Sequence, residues 1–470
     1  MTGSFSLSLL AELLGGVLHG TDSVISGISI DTRTLQQGDL FIAIKGPRFD
    51  GHGYLAQAQS AGAVAALTQE LVESELPQIV VADTEKALGQ IGAANRDLFN
   101  GVVIGVTGSC GKTSVKEMLL SVFSGQDATM ATEGNLNNAY GTPLTLFRLD
   151  STHHYGVIEL GTSSPGEIDY IARMSRPDIA LITNADETHL ADLKTVEGVA
   201  YEKGFILDAL GARGIAILNL DDPFYTQWQQ RTLKEEGRRV LSFSLANTHA
   251  DCYASNITSG ELGMTFTLHL NSHEPVNSHE PVINSQTASV SLAFWGRHQV
   301  LNACSAAAVA AAAHLPLDII VQGLENARPY QRRGQRFQHA SGAMLIDETY
   351  NANPRATFAA IDQLADCRGE TIMVLGDMLD LGDVSDTRHR EIGDYARTLG
   401  INYFLSFGIS AKLASEAFGG GLHFDDKDQL TQWLEDHLSS NTTVLVKGSR
   451  GMKMLDVIRA LMSSEYKGEA

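Results

Sequence analysis

Residues 102–114 read Val102-Val103-Ile104-Gly105-Val106-Thr107-Gly108-Ser109-Cys110-Gly111-Lys112-Thr113-Ser114. An apolar run gives way to a glycine turn and then to helix-compatible residues. The stretch therefore predicts strand, loop and helix N-terminus in that order. Glycines let backbone N–H groups approach phosphate oxygens, and the first turn of the helix adds partial positive charge. In such a loop Lys112 reaches the β- and γ-phosphates of a nucleotide, and the Thr113 hydroxyl ligates Mg²⁺. The loop is shorter than the general G-x-x-x-x-G-K-[ST] pattern, because Val106 stands where the first glycine belongs. Cys110 inside it reads as a small spacer rather than a reactive thiol.

Outward from this loop, residues 85–315 alternate apolar strands with helices. Strands are expected at Val102–Val106, Gly156–Leu160, Ile179–Thr183 and Ile215–Leu220. They are continuous in apolar residues, which suggests a parallel sheet covered on both faces. Residues 250–295 are rich in Thr and Ser and alternate from Met264 to Leu270, as a hairpin or meander would. Within them Asn271–Val276 (NSHEPV) is repeated in tandem as Asn277–Val282, which reads as a tolerated loop insertion. Its His273 and His279 are read as solvated rather than as metal ligands. The Ala-rich Asn302–His314 is expected as a buried helix closing this unit.

Residues 1–84 form a smaller α/β unit. It has a helix at Leu7–Leu14, a strand at Leu40–Ile44, an Ala-rich helix from Tyr54 to Leu67 and a strand at Ile79–Val81. Residues 316–470 alternate again, with strands at Met344–Ile346, Ile372–Leu375, Tyr403–Phe407 and Val444–Val446. They read as a second doubly wound unit. The fold class is thus α/β in three domains: a small N-terminal domain, a central P-loop parallel-sheet domain and a C-terminal Rossmann-like domain.

The chain has 470 residues, of which 43% are hydrophobic and 19% charged, enough for real cores and against general disorder. Its net charge is −21, which argues against nucleic-acid binding, because phosphate neutralisation needs a basic surface. No apolar run approaches the roughly 18 residues of a membrane span. The N-terminus lacks a signal-peptide pattern, so a cytoplasmic location is expected. Four scattered cysteines without a CxxC pair point to neither disulfides nor a zinc site.

Several strand tips carry polar groups. Glu159 ends the strand Val157-Ile158-Glu159, where a carboxylate beside a phosphate loop suits Mg²⁺. His189 follows another strand in Thr183-Asn184-Ala185-Asp186-Glu187-Thr188-His189. The Asn-Lys-x-Asp expected there of a GTPase is missing. In the C-terminal unit come Asp347-Glu348-Thr349-Tyr350-Asn351-Ala352-Asn353-Pro354, then Gly376-Asp377-Met378-Leu379, then Lys447-Gly448-Ser449-Arg450-Gly451. The last offers two cations suited to a carboxylate. Arg328, Arg332, Arg333 and Arg336 crowd the start of this unit, and a phosphate contact is favoured for them in so acidic a chain.

Taken together, these segments resemble the Mur ligase family over nearly the whole chain. Ile30-Asp31-Thr32-Arg33, Gly46 and Asp50-Gly51-His52 look like its uridine-nucleotide domain. The loop TGSCGKT is similar to its short phosphate loop. Gly134-Asn135-Leu136-Asn137-Asn138 resembles its Asn-rich loop, and Gly296-Arg297-His298 with Asn302 its adenine-side motif. Tyr350–Pro354, Gly376–Leu379 and Lys447–Gly451 resemble the branch that adds D-alanyl-D-alanine. The chain departs from that branch at Thr162-Ser163-Ser164, at Asp186-Glu187-Thr188, and at Gln299 and Glu348.

The resemblance implies an ATP-dependent ligase. It would join D-alanyl-D-alanine to UDP-N-acetylmuramoyl-tripeptide through an acyl phosphate, as a monomer. It further implies that Thr107, Gly108, Ser109, Cys110, Gly111, Lys112, Thr113, Asn135, Asn138, His298, Asn302, Asp347, Tyr350 and Asn351 meet the nucleotide. Thr32, Arg33, Gly46, Asp50, Gly51, His52, Lys447 and Arg450 would meet the other substrates. Lys112, Glu159, His189, Lys203 and Arg333 would be catalytic. Two Mg²⁺ ions would draw on Thr113, Glu159, His189 and Lys203, the last as a carbamylated lysine. Folylpolyglutamate synthase, a rival, would lack the N-terminal uridine unit. The diaminopimelate-adding sister would show Asp-Asn-Pro-Arg, and the nearest string here is Ala352-Asn353-Pro354-Arg355.

Overall fold

The computed structural model describes residues 5–46, 49–260, 262–273 and 283–462. Three sheets organise them. The second NSHEPV copy and His279 lie outside the described residues.

The N-terminal sheet has five strands: Val17–His19, Gly27–Ser29, Asp39–Ile42, Ala65–Thr68 and Gln78–Val80. The helix expected from Tyr54 to Leu67 stops at Ala61, and Ala65–Thr68 is instead a buried central strand. Gly62 ends the helix with φ +109°, a left-handed conformation that favours glycine, and its N–H caps the carbonyls of Ala58 and Gln59. Alanine content suggested helix, but burial on both sheet faces decided for strand.

The central sheet has nine strands. From one edge it runs Thr129–Ala131, Tyr155–Glu159, Val102–Thr107, Ile179–Ile182, Ile215–Asn219, Arg239–Ser244 and Cys252–Gly260, all pairs parallel. Gly263–His273 and Ile283–Leu292 then add antiparallel. The expected meander is therefore real, but it extends the parallel sheet rather than standing apart. The strand Val102–Thr107 sits between one neighbour reached from one side and another reached from the opposite side. Such a switch point opens a crevice at the strands' C-terminal ends, and the phosphate loop occupies it.

The buried helix Arg297–Ala312 packs on this sheet. Leu317–Asn326, beyond residue 315, joins the same core through Ile320 and Leu324, and its Gly323 lies against Val122 of the phosphate-loop helix Lys112–Ser124. On the other face Trp228 is fully buried and donates from Nε1 to the carbonyl of Ala200 (3.0 Å), bracing the helix Val196–Lys203.

The C-terminal sheet has six strands in the order Gln335–Gln338, Met344–Glu348, Thr442–Lys447, Glu370–Gly376, Tyr403–Phe407, Leu422–Phe424, parallel except for the first pair. Glu348 and Lys447 are register partners at adjacent strand tips. Among the described residues no helix is long and apolar enough to cross a membrane.

Candidate active site

The glycine loop is shaped by close packing. Gly108 has φ +151°, and a Cβ there would fall 1.8 Å from Thr183 Oγ1. Gly111 has φ +86°, and a Cβ would fall 2.5 Å from Asn302 Oδ1. Thr183 Oγ1 donates to the carbonyl of Cys110 (2.6 Å), and Asn184 Oδ1 accepts from the Cys110 N–H (2.9 Å). The helix Lys112–Ser124 starts at Gly111 without any side-chain cap. Its first N–H groups are left for a ligand, as an anion site requires.

Around the loop stands a cleft of about 620 Å³, within the range of small-molecule sites. Its wall includes Ser109, Cys110, Gly111, Lys112, Asn135, Asn138, Glu159, His189, His298, Asn302, Arg333, Tyr350, Asn351, Lys447 and Arg450. Central and C-terminal units thus face each other across one cavity. Lys112 Nζ donates to the carbonyl of Gly108 (2.6 Å), folded back over the loop. Thr113 Oγ1 donates to Glu159 Oε2 (2.9 Å), and Asn137 Nδ2 donates to Glu159 Oε1 (2.8 Å). A hydroxyl and a carboxylate in contact form the hard oxygen donor set that Mg²⁺ prefers. Among the described residues no three His, Cys, Asp or Glu side chains converge on one point.

The site's cations perturb one another. Burial, then Lys112 and Lys203, holds the His189 imidazole below its usual range, so its lone pair is available near neutrality. Lys203 ends its helix 2% exposed, and burial followed by the Lys112 charge pushes its ammonium far below the ordinary lysine range. Arg333 stacks 3.9 Å from the Tyr350 ring centroid, and its buried Nε has no hydrogen-bond partner in the protein. An orphaned donor in this wall fits a phosphate oxygen.

Other expected site residues lie off the cleft or are already engaged within the protein. Thr107 is buried and ties its strand to the carbonyl of Leu160 (2.8 Å). Asp347 is fully buried, and its Oδ1 accepts from the Thr349 N–H and hydroxyl (3.0 and 2.6 Å). It shapes the turn below Tyr350 rather than facing the cleft. Thr32, Arg33, Gly46, Asp50, Gly51 and His52 do not line this cavity. Arg33 is paired with Asp31 at 2.6 Å. His52 Nδ1 meets Asp50 Oδ1 (2.6 Å) and its Nε2 accepts from the Gln69 N–H (2.9 Å), so its ring bridges two loops. Lys447 is 2% exposed and bonds Glu348 Oε2 and the Asn351 carbonyl (both 3.1 Å), which leaves Arg450 as the exposed cation of that motif.

Of the four arginines, only Arg333 lines the cleft. Arg328 caps the carbonyls of Glu325 and Ala327, Arg332 reaches Thr349, and Arg336 stacks on Trp295 at 3.9 Å. Asn137 and Asn184 are site residues that sequence reading did not select. Asn137 lay in a quoted motif, but nothing in its spacing says which asparagine reaches Glu159.

The Gly376–Leu379 turn is braced from behind. The Met378 N–H donates to His389 Nε2 (3.0 Å), and His389 Nδ1 is 2.7 Å from the Ser385 carbonyl. The pairing fixes a neutral ring, and burial holds His389 below the usual imidazole range. An unfolded histidine takes up its proton near pH 6.5, before the folded one does. This contribution is full above about pH 6.5 and is lost as pH falls toward the folded value. We expect the drop in melting temperature between about pH 7.5 and about pH 5.5 to be smaller in His389→Gln than in wild type. An equal drop would mean that His389 does not resist protonation.

Three family models match the chain: "Mur ligase family, catalytic domain" over residues 24–96, "Mur ligase middle domain" over 106–310 and "Mur ligase, glutamate ligase domain" over 332–450. The UDP-N-acetylmuramoyl-tripeptide--D-alanyl-D-alanine ligase of Escherichia coli is 38% identical over 463 residues, 98% of this chain and 99% of that one. The chain belongs to the Mur ligase family. The Bacillus subtilis ligase of the same name is 33% identical over 97% of this Mur ligase and 98% of its own length. MurF from Acinetobacter baumannii superposes with a TM-score of 0.89 at 32% identity, covering 98% of this chain and 100% of that structure. MurF from Thermotoga maritima in complex with ADP gives 0.78 at 25% identity, covering 93% and 97%.

Proposed function

We propose that this Mur ligase joins D-alanyl-D-alanine to UDP-N-acetylmuramoyl-tripeptide at the expense of ATP, in the cytoplasm and as a monomer. The observation that carries the reading is the shared cleft, in which a phosphate loop on one unit faces Arg333, Tyr350, Asn351 and Arg450 on another.

The tripeptide's terminal carboxylate oxygen attacks the γ-phosphorus of ATP, and the bond to the ADP oxygen breaks. The loop N–H groups, Lys112 and Arg333 surround the transferring group and offset its charge. The dipeptide amine then attacks the acyl-phosphate carbonyl, phosphate leaves, and the amine loses a proton as the amide forms. Arg450 suits the dipeptide carboxylate. Closure of the C-terminal unit keeps water from the acyl phosphate. Thr113 and Glu159 would hold a Mg²⁺ ion, and His189 with Lys203, if carbamylated, would hold a second. When bound, such ions supply charge neutralisation at the phosphates.

The test supplies ATP, UDP-muramoyl tripeptides ending in diaminopimelate or in lysine, and several dipeptides, and identifies products by mass. The pentapeptide mass with D-alanyl-D-alanine is expected, with phosphate release that rises when the amine is supplied. A chain that only binds nucleotide releases no phosphate in either case.

A further inference from the structure

We propose that Asp380 binds the ammonium group of the incoming dipeptide, so that it and Arg450 hold the two ends of one zwitterion. This role rests on the ligase function proposed above. The acids that line the cleft are Glu159, Glu167, Glu348 and Asp380. Glu159 receives Thr113 and Asn137, Glu167 Oε2 accepts from the Ser163 N–H (2.9 Å), and Glu348 holds Lys447. Asp380 is the one with no hydrogen bond or ion pair among the described residues. Arg450 lines the same cleft, is exposed, and likewise has no side-chain partner among the described residues.

Neighbouring turns carry the two charges. The Leu379 N–H donates to Ser449 Oγ (2.8 Å), and the Ser449 N–H donates to the Asp377 carbonyl (3.0 Å). A Cβ on Gly451 would fall 3.0 Å from Leu379 Cδ1. These contacts bind the turn that precedes Asp380 to the turn that carries Arg450. Leu379, 43% exposed, adds apolar surface to the same rim of the cleft. Asp380 itself holds φ +65°, a left-handed conformation that Asp adopts more readily than most residues. A carboxylate and a guanidinium that stand close in the fold without pairing are available to a ligand charged at both ends. D-Alanyl-D-alanine has that form, with an ammonium, a carboxylate and two methyl groups between them.

Asp380 is also near the reacting groups. Gly382, two residues on, lies against the central unit, where a Cβ on it would fall 4.0 Å from Ala191 Cα. Ala191 is two residues after His189. Burial and the charges of Lys112 and Lys203 hold the His189 imidazole low, and the Asp380 and Glu167 carboxylates oppose them. An ammonium held by Asp380 therefore lies on the side of the cleft where His189 and Lys112 stand, with Arg450 fixing the far end of the dipeptide. Holding the nucleophilic nitrogen in one place turns a second-order encounter into a nearly unimolecular step. The same carboxylate could meet a second ammonium, the side chain of a tripeptide ending in diaminopimelate or lysine. The bonds between the Asp380 and Arg450 turns favour the dipeptide, since only it brings an ammonium and a free carboxylate on one small molecule.

The test compares full-length wild type with Asp380→Asn, varying each substrate in turn. Asn removes the charge, keeps the size and accepts the left-handed backbone, and the position is exposed, so the melting temperature should not move. KM for D-alanyl-D-alanine should rise about ten- to a hundredfold, with KM for ATP and for the tripeptide within about twofold. N-Acetyl-D-alanyl-D-alanine, which has no ammonium and cannot react, should inhibit both proteins equally. A rise in KM for the tripeptide in place of the dipeptide would assign Asp380 to the other ammonium and overturn the proposal. Unchanged KM values, or an equal weakening of the acetylated dipeptide, would overturn it too. The wild-type product identified by mass tests the ligase function separately: a wild type that joins the dipeptide, with an Asp380→Asn variant indistinguishable from it, removes Asp380 alone.

Discussion

Lys112→Ala is expected to abolish ATP-dependent phosphate release while the protein stays folded. Lys112 Nζ rests on the Gly108 carbonyl at 2.6 Å and lines the cleft beside Glu159, a position from which it can swing to a bound polyphosphate. Losing one preorganised charge at the transferring group costs roughly 10²- to 10³-fold in rate. The fold should tolerate the change. Burial already pushes this ammonium below its ordinary range, so the native state gives up an unfavourable charge along with the contact. Thermal melting should therefore move little while phosphate release falls to background. Near-normal turnover in a folded Lys112→Ala would remove the phosphate-loop assignment.

Lys203→Ala is expected to be inactive and then recoverable with short carboxylates such as formate or acetate. An ammonium that is 2% exposed and feels the Lys112 charge is poorly placed as a cation. As a neutral amine it can attack CO₂, forming an N–C bond and releasing one proton to give a carbamate. A carbamate there would be an anion near Lys112, which would relieve the repulsion and offer oxygen ligands. Truncation leaves a slot that a small carboxylate can enter with the same charge. Lys203→Arg should be inactive without rescue, since a guanidinium neither loses its charge nor carbamylates. A folded, inactive Lys203→Ala that no carboxylate revives counts against carbamylation.

Much of the architecture was legible because parallel strands buried on both faces leave continuous apolar runs, and Val102–Thr107, Ile179–Ile182 and Ile215–Asn219 all show them. The short strands Gly27–Ser29, Thr129–Ala131 and Leu422–Phe424 were not legible. Each has three residues, too few for any period to register. Ala65–Thr68 was misread because its residues suit a helix until the cap at Gly62 and the sheet on both sides are known.

The site divided along similar lines. Glycine-loop geometry is written into local sequence, so Lys112, Thr113 and Glu159 could be placed by motif and strand end. Partnerships across the chain could not. That Lys447 is taken up by Glu348 depends on two strands of the C-terminal sheet lying side by side, and that Asp186 and Glu187 face Arg355 and Arg388 depends on two units meeting. Asp347 turns inward to Thr349 only two residues away, but a strand end does not say which way its carboxylate points. A crowd of arginines likewise suggested a shared phosphate role, whereas three of the four hold carbonyls, a threonine or a tryptophan ring.

The most direct measurement follows oxygen. A tripeptide labelled with ¹⁸O in its terminal carboxylate is turned over with ATP and D-alanyl-D-alanine, and the released phosphate is analysed by mass. Attack of the carboxylate on the γ-phosphorus predicts that each phosphate carries one oxygen from that carboxylate, the other staying in the amide. Phosphate whose added oxygen comes only from water would contradict the acyl-phosphate route and with it the role assigned to the cleft.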